Sequence, residues 1–172
     1  MLSELGAAGF KVSVSGRESA WKRALLKPVM DRIYYGGLLY EKQYREAIWK
    51  SKVNLSFLTQ ANLDEYTHKS FEIAACGGFL LAERSAGHSA KFVEDEEAVF
   101  FEGYDELQAK ICRYLPDERV RRRIAEAGRQ RALRDGYDND HQVWLILERL
   151  EEIAWERAQP PDRREQSSAV LR

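Results

Sequence analysis

Apolar and polar residues alternate in short runs over the first two thirds of the chain, and each run ends in a turn that leads into apolar residues at helical spacing. Val12 and Val14 alternate with Lys11, Ser13 and Ser15 and stop at Gly16, the pattern of a short strand closing in a turn. The N-terminus thus enters a strand-like stretch almost at once, and a helical stretch over residues 18 to 30 follows. Ile33, Tyr34 and Tyr35 then run into Gly36 and Gly37, after which Tyr40, Tyr44, Ala47 and Ile48 recur as one helix face. Strand, glycine turn and helix form the unit.

The unit repeats. Val53, Leu55 and Phe57 alternate with Asn54 and Ser56, a polar loop covers residues 59 to 65, and Thr67 to Cys76 predict a helix closed by Gly77 and Gly78. Phe79 to Ala82 is a continuous apolar run, as expected of a central strand covered on both faces. Val99, Phe100 and Phe101 predict a fifth strand. Leu107, Ile111, Tyr114 and Leu115 mark a helix that Pro116 breaks, and residues 117 to 134 predict another, rich in arginine. Val143, Ile146, Leu147, Leu150, Ile153 and Ala154 place one apolar stripe on a last helix over 139 to 157.

Five strands alternating with helices predict an α/β fold, a single Rossmann-like domain over residues 1–158 with a parallel sheet and extra C-terminal helices. After Pro160 and Pro161 the tail, residues 159–172, is expected to be disordered. Ligands of such sheets bind outside the carboxyl ends of the strands, which directs attention to Gly16, Gly36 and the loop from 58 to 70.

Composition narrows the function. The chain has 172 residues, 44% of them hydrophobic and 32% charged, the balance of a globular protein. Twenty-seven Lys and Arg against 28 Asp and Glu give a net charge of -1, so no general attraction for nucleic acid or anionic lipid is expected. No segment has the length of a membrane span. Cys76 and Cys112 have neither disulfide nor zinc spacing, and Met1 to Phe10 lack a signal-peptide pattern, so a reducing cytoplasm is the expected location.

The most informative stretch runs from Asn62 to Glu83 and joins a polar loop to a helix start. Free backbone N–H groups there, with Thr67, Lys69 and Ser70, would make a site for a phosphate or diphosphate. Glu72 lies in the first turns, where a carboxylate can accept hydrogen bonds from the two hydroxyls of a ribose. The same residues also read as simple helix capping.

Other features have plainer readings. Asp138-Asn139-Asp140 has the form of an Asp-x-Asp metal motif, yet directly before a helix it reads as a cap. His68 borders the phosphate site; His88 reads as a surface or loop-fixing residue, with a donor-sugar contact as the alternative. The arginines from Arg119 to Arg134 are interleaved with Glu118 and Glu126 and read as a solvated helix face. Cys76 reads as a small buried hydrophobe. A phosphate-accepting receiver domain would need an Asp at the end of the third strand, where Phe57, Leu58 and Thr59 stand.

Phe71-Glu72-Ile73 and Ala75-Cys76-Gly77-Gly78 before an apolar strand ending in Glu83 resemble the signature of group 1 glycosyltransferases of the GT-B fold, more closely the CgeB-like spore-coat glycosyltransferase-like family. The resemblance runs from Val12 to Tyr137 and includes Tyr44 to Ala47 before Ser51 to Ser56, and Glu97 to Phe101. The wider group has two carboxylates separated by seven residues, one near the donor sugar and one on the ribose; Asp64 and Glu72 have that spacing. The resemblance implies Glu72 as ribose ligand and Asp64, where the wider group has Glu, as a candidate catalytic residue at the sugar. Lys69 stands where the closer family has Arg, which keeps the charge but loses the bidentate fork, and Ala74 replaces Pro.

What the resemblance implies is metal-independent transfer from a nucleotide-diphosphate sugar, with Gly16, Gly36, Thr67, Lys69, Ser70 and Glu72 on the donor, no resident cofactor, and an N-terminal acceptor domain as partner. The alternative is a non-catalytic remnant or interaction module of glycosyltransferase origin. The apolar stripe of the last helix would ordinarily pack toward the N-terminal domain.

Overall fold

In the computed structural model, which describes residues 1–158, the alternating runs become five parallel strands separated by helices. The order is α1 (Leu2–Ala7), β1 (Val14–Ser15), α2 (Glu18–Ala24), α3 (Lys27–Ile33), β2 (Tyr34–Gly36), α4 (Glu41–Lys50), β3 (Asn54–Ser56), a 3-10 turn (Gln60–Asn62), α5 (His68–Ala75) and β4 (Leu80–Glu83). It continues with α6 (Ala86–Lys91), β5 (Val99–Phe101), α7 (Gly103–Tyr114), α8 (Glu118–Arg134) and α9 (Asn139–Ala158). The tail from 159 to 172, expected to be disordered, lies outside the described residues.

The strands form two parallel sheets where one of about five strands is expected: β1 pairs with β2, and β3-β4-β5 form the other. The reason is local. β1 has only two residues, and its register against β2 shifts between Val14 and Ser15, too short and irregular a ladder to extend. β3, β4 and β5 pair in unbroken register, Leu55 opposite Leu81 and Leu81 opposite Val99.

The core lies around β4 and β5. Leu81, Val99, Phe101 and Leu107 are fully buried with Phe79, Ile111, Tyr114 and Ile124, and the Phe57 ring meets Phe101 edge-on at 5.7 Å. Each such apolar side chain contributes roughly 1.5–3 kcal/mol on leaving water, which is why the apolar run of β4 reads so clearly as a two-faced strand. Leu5 joins this core from α1, a helix that the alternation after it conceals in the sequence. The predicted helix over 18 to 30 divides into α2 and α3, and α3 carries Pro28 in its first turn.

Gly77 and Gly78 stop α5 and turn the chain into β4. Gly77 has φ +72°, its N–H donates to the Ala74 carbonyl at 2.8 Å, and the Gly78 N–H donates to the Ile73 carbonyl at 2.9 Å, the paired bonds of a Schellman motif. This turn fixes where α5 ends against the sheet and so where it begins.

Chain contacts divide the described residues into two compact units, Met1–Arg131 and Ala132 onward, where the sequence suggests one domain to residue 158; the division falls within α8. In the first unit Arg121 departs from the expected solvated face. It is buried, and its guanidinium donates to the carbonyls of Tyr114 and Leu115 at the end of α7. In the second unit the Asp138 carboxylate accepts from the His141 N–H at 2.8 Å, so the Asp-x-Asp sequence caps α9. Val143, Ile146, Leu147 and Leu150 of α9 are exposed.

Candidate functional site

The loop after β3 is held at the carboxyl ends of β3 and β4, and it delivers the chain to the start of α5. The Leu58 N–H donates to the Glu83 carboxylate at 2.9 Å, which explains why the apolar strand β4 closes on a glutamate. Further along, the Gly87 N–H donates to the Glu65 carboxylate at 2.7 Å, and the Ser85 hydroxyl donates to the Glu65 carbonyl. Ser85 in turn caps α6 by accepting from the His88 N–H at 2.9 Å. α6 is thus a clamp on the loop. A side chain at Gly87 would find Glu65 Cβ at 2.6 Å and the Tyr66 ring at 2.9 Å.

Thr67 caps α5 in an extended conformation, but its side chain takes no N–H of the first turn. The Ser70 N–H is spent on the Thr67 carbonyl at 3.1 Å, while the first two N–H groups of the helix, His68 and Lys69, have no partner within it. Lys69 is exposed and pairs with no carboxylate among the described residues. Glu72, one turn on, is exposed and accepts a hydrogen bond from the Tyr44 hydroxyl at 2.8 Å. Burial first, and the carboxylate second, push the Tyr44 phenol well above its ordinary pKa, so Tyr44 remains a donor.

Ser70 is placed differently from expectation. Its side chain is fully buried, because the third position of α5 faces β3. Its hydroxyl lies 2.9 Å from Ser56 Oγ and 2.8 Å from His88 Nε2, so it is engaged with these two side chains beneath the start of α5 and not presented to solvent. Ser56 Oγ lies 3.2 Å from Thr67 Oγ1, and His88 Nδ1 is 2.8 Å from the Glu83 carbonyl. His88 is fully buried and stacked on Phe100. His88 is thus held in the interior by Ser70 and the Glu83 carbonyl, and it is not the surface residue that the sequence also allowed. Burial lowers its pKa and keeps the ring neutral.

The remaining candidates separate into two places. Asp64 is half-buried on the loop, next to Leu63, which has φ +54° and is exposed. Gly16 and Gly36 lie at the other sheet and bond to one another: the Gly16 N–H, at φ +137°, donates to the Gly36 and Gly37 carbonyls at 3.1 and 3.0 Å. The structure brings Thr67, Lys69 and Glu72 together on one helix start, whereas Gly16 and Gly36 bond to one another at the other sheet, where the Gly16 carbonyl also accepts from the Tyr34 hydroxyl at 3.1 Å.

An open cavity of about 620 Å³ lies at the carboxyl ends of β4 and β5, lined by Glu83, Arg84, Ser85, Ser89 and Glu102. Its arginine is already engaged: Arg84 makes a bidentate pair with Glu94 at 2.6 and 2.9 Å and a third bond to Glu106 at 3.1 Å. Lys69, by contrast, is exposed and in no ion pair among the described residues. Sequence reasoning missed Glu65, Tyr44 and Ser85. Only Ser85, three residues before His88, has the spacing of a helix cap.

No helix among the described residues is long and apolar enough to cross a membrane. The fold is similar to one domain of a GT-B glycosyltransferase: sucrose-phosphate synthase from Thermosynechococcus elongatus superposes with a TM-score of 0.66 at 16% identity, over 91% of this chain and 43% of that one. The chain thus spans less than half the length of that structure. No curated protein matches it. The profile of the glycosyl transferase-like family matches residues 1–148, most of the chain, and the chain belongs to that family.

Proposed function

We propose that the chain is the donor-binding domain of a glycosyltransferase, which holds a nucleotide-diphosphate sugar at the loop after β3 and the start of α5. The observation that carries this is the uncapped start of α5, where two backbone N–H groups and the unpaired Lys69 stand one turn before the exposed Glu72. A diphosphate neutralises the first set, and the two ribose hydroxyls donate to Glu72. Asp64, half-buried on the same loop, is the candidate at the sugar, and Gly16 and Gly36 stand at the carboxyl ends of their strands as further donor contacts.

In the transfer the bond between sugar C1 and the diphosphate oxygen breaks with its electron pair on the leaving group, and an acceptor oxygen bonds to C1 and gives up its proton. The helix start and Lys69 stabilise the charge that grows on the departing diphosphate, with no metal required. The acceptor and the group that takes its proton belong to an N-terminal partner domain. The closer resemblance to the CgeB-like family and the free cysteines fit a cytoplasmic enzyme of this kind.

Isothermal titration with UDP and GDP, with and without EDTA, tests the reading. Binding that survives EDTA and is lost in Glu72→Ala supports it. Absence of binding at millimolar ligand removes autonomous donor recognition and favours the non-catalytic interaction module.

A further inference from the structure

The buried chain from Glu83 to Thr67 has a fixed direction, and the direction decides what its outer end can recognise. The Glu83 carbonyl can only accept, so His88 Nδ1 carries the hydrogen of that 2.8 Å bond. In the neutral ring Nε2 is then a lone pair, and Ser70 must donate to it across 2.8 Å. A hydroxyl has one hydrogen. Ser70 has spent its own, so Ser56 must donate to Ser70 across 2.9 Å, and Thr67 must donate to Ser56 across 3.2 Å. Each step follows from the one before it, and the side chains of His88, Ser70 and Ser56 are all buried.

Thr67 is the half-buried end of this chain, beside the uncapped N–H groups of α5. Its hydrogen points inward, so what it has left for a ligand is a lone pair. A diphosphate oxygen, itself an acceptor, gains nothing from it and is repelled by it; a hydroxyl gains a partner. We propose that neutral His88, acting through Ser70 and Ser56, makes Thr67 a hydrogen-bond acceptor that reads a hydroxyl of the donor sugar and not an oxygen of the diphosphate. His88 is then a positioning residue and Thr67 a specificity-determining one. The inference rests on the donor-binding reading and adds to it which part of the donor Thr67 meets.

The experiment has two readouts on the same chain. In nitrogen-15 spectra His88 is expected as the neutral Nδ1–H tautomer at neutral pH; an Nε2–H tautomer or an imidazolium there overturns the direction of the chain. In titrations with UDP and UDP-glucose, and with GDP and GDP-mannose, Thr67→Val is expected to weaken the sugar nucleotide that binds by about five- to tenfold while leaving the free diphosphate unchanged. Thr67→Ser, which keeps the oxygen, is expected to restore the affinity. Equal loss for diphosphate and sugar nucleotide, or no loss for either, overturns the inference while donor binding stands. Failure of the unsubstituted chain to bind any of the four removes the donor-binding reading, and the role of Thr67 falls with it.

Discussion

The Tyr44 hydroxyl donates to the Glu72 carboxylate across 2.8 Å and ties α4 to the helix that opens the candidate site. One oxygen of the carboxylate is thereby held while the residue as a whole remains exposed. Tyr44→Phe removes the tether without changing the shape of the ring. Stability is expected to fall by about 0.5–1.5 kcal/mol, and affinity for UDP or GDP by about three- to tenfold, since Glu72 must then be ordered by the ribose itself. Urea denaturation and calorimetric titration of the same variant separate the two effects.

Much of this was legible before the structure, and the limits have physical causes. β4 declares itself because a strand buried on both faces is apolar at successive positions, here Leu80 to Ala82, and the Gly77-Gly78 stop is visible because a left-handed helix end favours glycine. α6 has six residues, too few for a periodic signal, so the clamp that Ser85, Gly87 and His88 make on the loop could not be seen. Ser70 misleads for a related reason. A serine in the first turn of a helix reads as a ligand group, and only the packing of α5 on β3 shows that its side chain points inward.

Gly87 tests the clamp. An added Cβ meets Glu65 Cβ at 2.6 Å and the Glu65 carbonyl oxygen at 2.8 Å, and the backbone oxygen cannot move without carrying the loop with it. Gly87→Ala is therefore expected to destabilise the fold by roughly 1–3 kcal/mol and to displace the segment leading to Thr67. Loss of nucleotide affinity beyond what the unfolded fraction explains is the expected result of titration at a temperature where the variant is folded. Unchanged affinity would show that the loop and the helix start are independent.

Tyr114 gives a prediction at high pH. It is buried, its hydroxyl donates to Asp95 at 2.7 Å, and burial with that carboxylate pushes its pKa from 10.0 up to about 12. A folded pKa above the unfolded one means stability that is complete below pH 10.0 and lost as pH rises through about 12. Tyr114→Phe is expected to cost on the order of 1 kcal/mol at neutral pH and progressively less above pH 10.0. Urea midpoints of the two proteins across that range, with phenolate absorbance as a second readout, check the convergence.

His88 behaves in the opposite sense at low pH. Desolvation lowers its pKa below 6.5, against the pull of the Glu83 carbonyl bond and of the Glu65 and Glu83 carboxylates, which raise it. The unfolded chain therefore takes up the proton first, and the stability that neutral His88 contributes is full above pH 6.5 and lost as pH falls toward the depressed folded value. Protonation would also put a hydrogen on Nε2 and oppose the one that Ser70 donates, so the whole hydroxyl chain to Thr67 would have to turn. His88→Asn keeps a donor for the Glu83 carbonyl and removes the acceptor for Ser70, a loss of about 2–4 kcal/mol at neutral pH from the broken bond and the vacated ring volume. That difference is expected to shrink as pH drops below 6.5, because the variant has no buried imidazole to protonate. A difference that stays constant with pH in urea denaturation would mean that His88 titrates alike in the folded and unfolded chains, and the direction assigned to the hydroxyl chain would lose its electrostatic support.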